Sequence, residues 1–174
     1  MDKPIFKPMT IADYDDLKAD LREDDLRELM ASSTEDPFVQ LKRAVEMTVT
    51  SGIGFSLRDK EGKLIILFGA IQGLQENMGS IWCMGTSQVS KWGKFIYKSG
   101  VPYVNLIMDH FPILYNFCDV RNKTYLKFIN RMGFIFYKTH QKHGTGESPF
   151  VEFGQYDVVK MDNFNKRQKL CAIQ

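Results

Sequence analysis

The chain has 174 residues, of which 44% are hydrophobic, and this size suits one domain whose core needs no disulfide or structural metal. Its formal net charge of +2 does not by itself indicate a nucleic-acid-binding protein or an acidic tail. The total hides a division, because residues 1–50 carry 7 basic and 12 acidic side chains, whereas residues 51–174 carry 16 and 9. The charges are therefore separated along the chain.

Two kinds of pattern that would indicate other classes of protein are missing from the sequence. No apolar run approaches the length of a membrane helix, and the amino terminus lacks the basic-then-apolar order of a signal peptide, so we expect a soluble protein that is not secreted. Cys83, Cys118 and Cys171 show no CxxC spacing, and His140 and His143 have no cysteine beside them. We therefore expect neither a disulfide framework nor a metal site.

The amino-terminal third predicts one strand and three helices. The strand covers residues 5–8, and helices begin near residue 11, near residue 24 and at Pro37. In the second helix, apolar spacing predicts that Leu26, Leu29 and Met30 face inward.

Gly52 ends the third helix, and an alternating pattern follows that predicts a meander of three antiparallel strands. Residues 53–57 and 63–71 form a hairpin with Gly62 in its turn, and residues 80–85 form the third strand.

The second half predicts helices alternating with strands. Residues 90–111 form either two short helices or one helix kinked at Pro102. The other predicted elements are a buried strand 113–120, a helix 121–132 ended by Gly133, a strand 134–137, a surface loop 138–149, a last strand 150–161 and a polar tail 162–174. The order predicts one α/β (α+β) domain over residues 1–161, with a mostly antiparallel sheet flanked by helices and one parallel βαβ crossover between strands 4 and 5.

The segment from Asn122 to Phe134 resembles a signature of the GNAT superfamily of acyl-CoA N-acyltransferases. In that signature a strand ends in asparagine, a helix follows, and a Gly-Phe pair opens the next strand, as Gly133 and Phe134 do here. The order of elements resembles the same superfamily. The resemblance implies a GNAT-like fold and acetyl-CoA or another acyl-CoA as the cofactor, with no metal.

Residues 81–89 and 114–122 carry a closer resemblance, to the internal virion protein A family of short-tailed bacteriophages. It implies a protein of the infected host's cytoplasm or of the virion that acts in particle assembly or genome delivery. Its partners would be phage structural proteins or a host protein, and its acyl transfer would be weak or absent. The alternative is an active acetyl-CoA-dependent N-acetyltransferase that modifies a host protein, a phage protein or a small amine.

The residues predicted to bind the cofactor lie around the end of the fourth strand. GNAT enzymes hold the pyrophosphate with a glycine-rich loop there, but residues 86–94 lack its spacing. The hypothesis assigns the cofactor to the backbone of Met84 and Gly85 and to Ser90, Lys91, Lys94 and Asn122. The alternatives are a capped helix with solvated lysines and, for Asn122, a helix N-cap.

The catalytic acid and base are less well defined. The resemblance places the acid of the family, a tyrosine, at Ile129, which cannot transfer a proton, so Tyr125, one turn earlier, is the candidate; its alternative is a packed aromatic. Glu76, Asp109, His110 and Asp119 are candidates for the base by residue type alone. The missing acid and loop favour the assembly role over the enzyme.

The distribution of charged side chains favours an anionic ligand near the later helices. Residues 91–142 carry 9 basic and 2 acidic side chains, while the acids concentrate in residues 13–28, which in GNAT folds border the acceptor groove. The lysines and aromatics of residues 91–131 would also suit single-stranded nucleic acid, but amphipathic helices on a sheet give the same pattern, so nucleic acid is not a predicted partner.

Overall fold

The computed structural model describes residues 3–171, and the side chains of residues 169–171 are left out of the description. Seven strands form one sheet: β1 (Ile5–Pro8), β2 (Ile53–Arg58), β3 (Leu64–Gln72), β4 (Met78–Gly85), β5 (Ile113–Asp119), β6 (Ile135–His140) and β7 (Phe150–Tyr156). The helices are α1 (Asp13–Ala19), α2 (Glu23–Ser32), α3 (Pro37–Ser51), α4 (Val89–His110), α5 (Lys123–Arg131) and α6 (Val158–Cys171). None of the helices described is long and apolar enough to cross a bilayer.

The strands lie in the order β1-β2-β3-β4-β5-β7-β6. Every neighbouring pair is antiparallel except β4 and β5, which are parallel and joined through α4. The predicted fold class, a mostly antiparallel sheet with one parallel crossover between strands 4 and 5, is therefore confirmed.

Local signals explain several element ends. The carboxylate of Asp36 accepts hydrogen bonds from the amides of Phe38 and Val39 at 2.9 and 3.1 Å, which caps α3 at the proline that opens it. Gly133 follows α5 with a φ of +92°, a left-handed conformation that suits glycine and ends the helix.

Helices cover both faces of the sheet and create two apolar cores. On one face, helices α1 to α3 pack on β3 and β4 around residues such as Leu17, Leu41 and Trp82. On the other face, α4 and α5 pack on the sheet around residues such as Ile107 and Ile129. Alternating side chains of β4 thus belong to different cores. Each of them can therefore reach a site on one face of the sheet only.

Of the two alternatives for residues 90–111, the structure shows the single helix, α4, which contains Pro102. Two predicted elements differ in the structure. Strand β6 extends to His140, beyond the predicted residue 137. The last strand ends at Tyr156 rather than at residue 161, because α6 begins at Val158. Helix α6 includes most of the predicted polar tail, whose last three residues, 172–174, lie outside the described residues.

Candidate active site

A gap opens in the sheet between β4 and β5. Their parallel ladder joins residues 78–80 to residues 113–115, whereas β4 continues to Gly85 and β5 to Asp119. The side-chain amide of Asn116 donates to the Ile81 carbonyl just beyond the last backbone pair. Side chains from α2 and α5 fill the space beyond that point.

Hydrogen bonds at Asp25 and its neighbour Arg22 connect the start of α2 to the end of β4. Its carboxylate is buried and accepts a hydrogen bond from the Gly85 amide at 2.8 Å, while the Arg22 amide donates to the Gly85 carbonyl at 3.0 Å. The Arg22 guanidinium lies 3.7 Å from the Asp25 carboxylate. Burial raises the pKa of Asp25, and Arg22 offsets part of that effect.

Glu28 lies one helical turn beyond Asp25 and enters the same gap. Its Oε2 accepts hydrogen bonds from the Asn122 side-chain amide at 3.0 Å and from the Cys118 thiol at 3.5 Å. Burial, together with the smaller effect of the neighbouring Asp25 charge, raises the pKa of Glu28 from 4.5 to about 7 against the effect of those hydrogen bonds. The gap therefore holds a carboxyl that changes its charge near neutral pH.

Asn122 joins α5 to these acids. Its Oδ1 caps the helix by accepting from the Tyr125 amide at 3.2 Å, so the N-cap alternative for this residue is what the structure shows. Its Nδ2 donates to Glu28 and, at 3.4 Å, to Asp25. The direct contact with a cofactor that the sequence predicts for Asn122 stays a prediction.

Tyr125 and two cysteines complete the surroundings of the gap. Tyr125 is buried, and burial raises the pKa of its phenol well above the ordinary value, so the phenol stays protonated and can donate a proton. Burial likewise raises the pKa of the Cys83 thiol to about 12 and that of the Cys118 thiol still further. Neither cysteine is therefore a thiolate nucleophile at neutral pH.

A groove of about 460 Å³ runs between α4 and α5 and ends at this gap. Three basic side chains line it, namely Arg22, Lys127 and Arg131. Its walls also include Cys83, Gly85, Val89, Ser90, Gly93, Thr124, Tyr125 and Phe128. The groove thus joins a basic, partly polar mouth to an interior end beside Tyr125 and Cys83.

Glycine at position 85 allows this arrangement. A Cβ there would lie 2.3 Å from a methyl carbon of Val89, so a larger residue would push β4 away from the start of α4. Both backbone polar groups of Gly85 already bond to α2, as described above. A ligand in the gap would therefore meet the Cys83 backbone, since alternate residues of a strand point their peptide groups to the same side.

The predicted cofactor residues divide into two groups. Gly85 and Ser90 line the groove. The side chain of Met84 packs in the core on the α1–α3 face, and the predicted contact of its backbone with the cofactor stays a prediction. Lys91 lies over the Trp92 ring at 5.3 Å from its centroid, and Lys94 is exposed outside the groove lining.

The four residues proposed as the catalytic base by residue type alone either lie away from the gap or are already paired. Asp119 binds Arg121 and Ser148, which hold its pKa below the ordinary value against the effect of burial. Glu76, Asp109 and His110 line a different pocket, near α6.

The sequence interpretation missed Asp25 and Glu28 as individual residues. Their i,i+3 spacing within the acidic segment 13–28 was the available signal, because it places both carboxyls on one face of α2. Within residues 3–171 there is no group of three or more histidine, cysteine or acidic side chains that could hold a metal ion.

Comparisons with solved structures find the same fold in acetyltransferases. No family model and no curated protein sequence matches the chain. Spermidine N-acetyltransferase from Vibrio cholerae, solved in complex with CoA and spermine, superposes with a TM-score of 0.65 at 12% identity, over 91% of this chain and 98% of that one. An acetyltransferase of the GNAT family from Bacillus anthracis gives 0.65 at 10% identity, over 89% and 95%. One from Streptococcus pneumoniae gives 0.62 at 10% identity, over 88% and 99%. The chain therefore has the fold of GNAT-family acetyltransferases.

Proposed function

We propose that the chain is an acyl-CoA-dependent N-acyltransferase in which Glu28 is the general base and Tyr125 the general acid. One observation carries the proposal: a groove with basic side chains leads to a gap in the sheet that holds a carboxyl with a pKa of about 7. A general base works best when its pKa lies near the operating pH. This reading reverses the preference that the sequence alone gave to an assembly role.

The groove offers suitable contacts for the phosphates of CoA. Lys127 and Arg131 follow each other by one turn on α5 and line the groove with Arg22. Ser90 and Gly93 line it from the first turns of α4, where the positive end of the helix dipole favours an anion. These cations would replace the glycine-rich loop that the sequence lacks.

The residues at the gap can perform acyl transfer with a balanced movement of protons. Acyl-CoA supplies the activated acyl carbon as a thioester. Ionised Glu28 first accepts a proton from the acceptor ammonium and passes it to solvent, which frees the amine. The amine nitrogen then bonds to that carbon while the carbon–sulfur bond breaks, and Glu28 accepts the second proton of the nitrogen and releases it to solvent. Tyr125 donates its phenolic proton to the departing thiolate and recovers one from solvent.

The acceptor in this proposal is a cationic amine. Exposed acids of α1, among them Asp15 and Asp16, would attract such a molecule. Because one similar structure holds spermine, polyamines belong in the panel of amines to be tested, together with lysine peptides from host and phage proteins.

Calorimetric titration with CoA tests the binding step. We expect micromolar binding that weakens about tenfold in Lys127→Ala, because that variant removes a charge from the groove. Lys123→Ala is the matched control, since Lys123 lies one turn earlier on α5 and outside the groove lining. Equal losses in both variants, or no binding at millimolar CoA, contradict the proposal.

Release of free thiol from acetyl-CoA in the presence of the amine panel tests catalysis. We expect Glu28→Gln to lower kcat by about 100-fold or more, within the range for loss of a general base, and to abolish the rise in rate around pH 7. Glu23→Gln on the same helix, whose side chain is 88% exposed, should leave both unchanged. An unchanged pH profile in Glu28→Gln would show that Glu28 is not the base.

The role in virion assembly, with phage structural proteins or a host protein as partners in the infected cell, rests on the sequence resemblance alone. It predicts the opposite outcome in the titration, namely a folded chain that binds no CoA. The same experiment therefore decides between the two functions.

A further inference from the structure

We propose that the chain has a pocket for the acyl chain and selects acyl groups about two carbons longer than acetyl. This inference rests on the proposed function and names the acyl class that the same site would transfer. It starts from an apolar cavity that lies inside the core between the sheet and helices α4 and α5.

The cavity has a volume of about 30 Å³ and is lined almost entirely by apolar side chains. The residues that line it but not the groove include Phe6, Phe68, Val104, Met132, Phe134 and Phe153. A cavity of this chemistry excludes water, because a buried water needs two to four polar partners. Its natural occupant is therefore hydrocarbon.

The cavity adjoins the groove at the end where the thioester is proposed to bind. Five residues line both spaces: Ile66, Cys83, Ile96, Tyr125 and Phe128. Only the thickness of these side chains separates the two. Because Cys83 and Tyr125 also border the gap in the sheet, an acyl chain attached at the gap would point between them into the cavity.

The volume of the cavity sets the length of the acyl group that fits it. A space of about 10–15 Å³ on this measure accommodates one group of the size of water, so 30 Å³ accommodates about two methylene-sized groups. Burying one methylene improves binding by about fourfold. A butyryl thioester should therefore bind roughly 15-fold more tightly than an acetyl thioester.

Gly100 provides a means to close the pocket. It lies on α4, lines the cavity, and a Cβ at this position would lie 3.4 Å from the terminal methyl carbon of Met132. The first carbon of a larger side chain thus fits, and the remaining carbons would occupy the cavity. Replacing a glycine within a helix also favours the helix, so such variants should fold.

The experiment is calorimetric titration of the full chain with CoA, acetyl-CoA, butyryl-CoA and hexanoyl-CoA. In the unaltered chain we expect butyryl-CoA to bind about 15-fold more tightly than acetyl-CoA, with no further gain for hexanoyl-CoA. Gly100→Leu should reduce the butyryl advantage to less than twofold and leave acetyl-CoA binding within threefold. Val101→Leu is the control, because Val101 is the next residue of α4 and its side chain is 41% exposed; it should keep the full advantage.

Each result decides the matter. Equal affinities for acetyl-CoA and butyryl-CoA, with CoA itself binding, overturn the pocket and leave the proposed function intact. No binding of CoA overturns both. If Gly100→Leu does not fold by circular dichroism, Gly100→Ala takes its place: it adds one carbon and should lower the butyryl advantage to about fourfold, and an unchanged 15-fold preference would overturn the pocket.

Discussion

The buried carboxyl of Glu28 makes a prediction about stability that does not depend on any ligand. Replacing it by glutamine keeps the size and one acceptor oxygen but removes the charge. The folded chain holds Glu28 in its protonated form up to about pH 7, whereas the unfolded chain releases the proton near pH 4.5. Glu28 therefore contributes most favourably below pH 4.5, and this contribution is lost as the pH rises through 7.

The size of this change in the free energy of unfolding follows from the shift in the pKa of Glu28. Raising a pKa from 4.5 to about 7 corresponds to about 3 kcal/mol at 1.36 kcal/mol per unit. Glu28 as a whole residue keeps some contact with solvent, which screens part of this penalty, so we expect about 2 kcal/mol. Glu28→Gln should therefore match the unaltered chain at pH 4.5 and exceed its free energy of unfolding by about 2 kcal/mol at pH 8.

Urea denaturation at half-unit steps between pH 4.5 and pH 8 measures this difference. Glu23→Gln on the same helix, where the side chain is 88% exposed, is the control and should differ by less than about 0.5 kcal/mol at every pH. A difference for Glu28→Gln that stays constant with pH, or that favours the unaltered chain at pH 8, would refute the idea that burial holds Glu28 protonated.

Three further stability changes follow from single contacts, each measured by urea denaturation at pH 7. Asp36→Ala removes the two capping bonds of α3 and should cost about 1 kcal/mol, whereas Asp36→Asn, which keeps an acceptor, should cost less than half of that. Gly133→Ala places a side chain at a φ of +92° and should cost about 1 kcal/mol, and no loss would contradict the left-handed turn. Trp82→Phe removes the 2.9 Å bond from the indole nitrogen to Thr48 and leaves that buried hydroxyl without its donor, so we expect a loss of about 2 kcal/mol, and a loss below 0.5 kcal/mol would show that the bond contributes little.

Most of the fold could be predicted because its boundaries are set by local chemistry. Pro37 after Asp36, and Gly62 with a φ of +84°, each determine an element end from a few adjacent residues. The last element was predicted wrongly because Val158 and Val159 continue the pattern of a strand. In the structure the Asp157 carboxylate accepts from the Lys160 amide and starts a helix.

That last helix also depends on contacts that no local pattern contains. The Lys160 ammonium bonds to the Asn105 carbonyl at 2.7 Å and to the Asp109 carboxylate at 2.6 Å, and both of these partners lie on α4. Tertiary contact of this kind overrides local strand propensity.

The site was only half predictable for the same reason. Asn122 and Tyr125 could be found because they lie in one short segment with recognisable spacing. Glu28 could not, since its partner Asn122 is 94 residues away in sequence. Apolar spacing predicted that Met30 faces the core, yet its side chain is 55% exposed while Asp25 is 4% exposed. Helix α2 is turned so that two of its acids, Asp25 and Glu28, rather than all of its apolar residues, face the sheet.

This orientation of α2 has an energetic consequence that bears on function. Two carboxyls taken out of water destabilise the fold unless they are paired. Here the Arg22 guanidinium lies beside Asp25, whereas Glu28 accepts from the neutral Asn122 amide and Cys118 thiol. Apolar side chains of similar size would fill the gap between β4 and β5 more stably, since a gap lined by Cys83 and Tyr125 already has apolar surroundings. The bond from the Gly85 amide accounts for the acid at position 25, but folding alone gives no reason for a second acid at position 28. Proton transfer at the end of the groove does give one, because the burial that weakens the fold is also what brings the pKa of Glu28 to about 7.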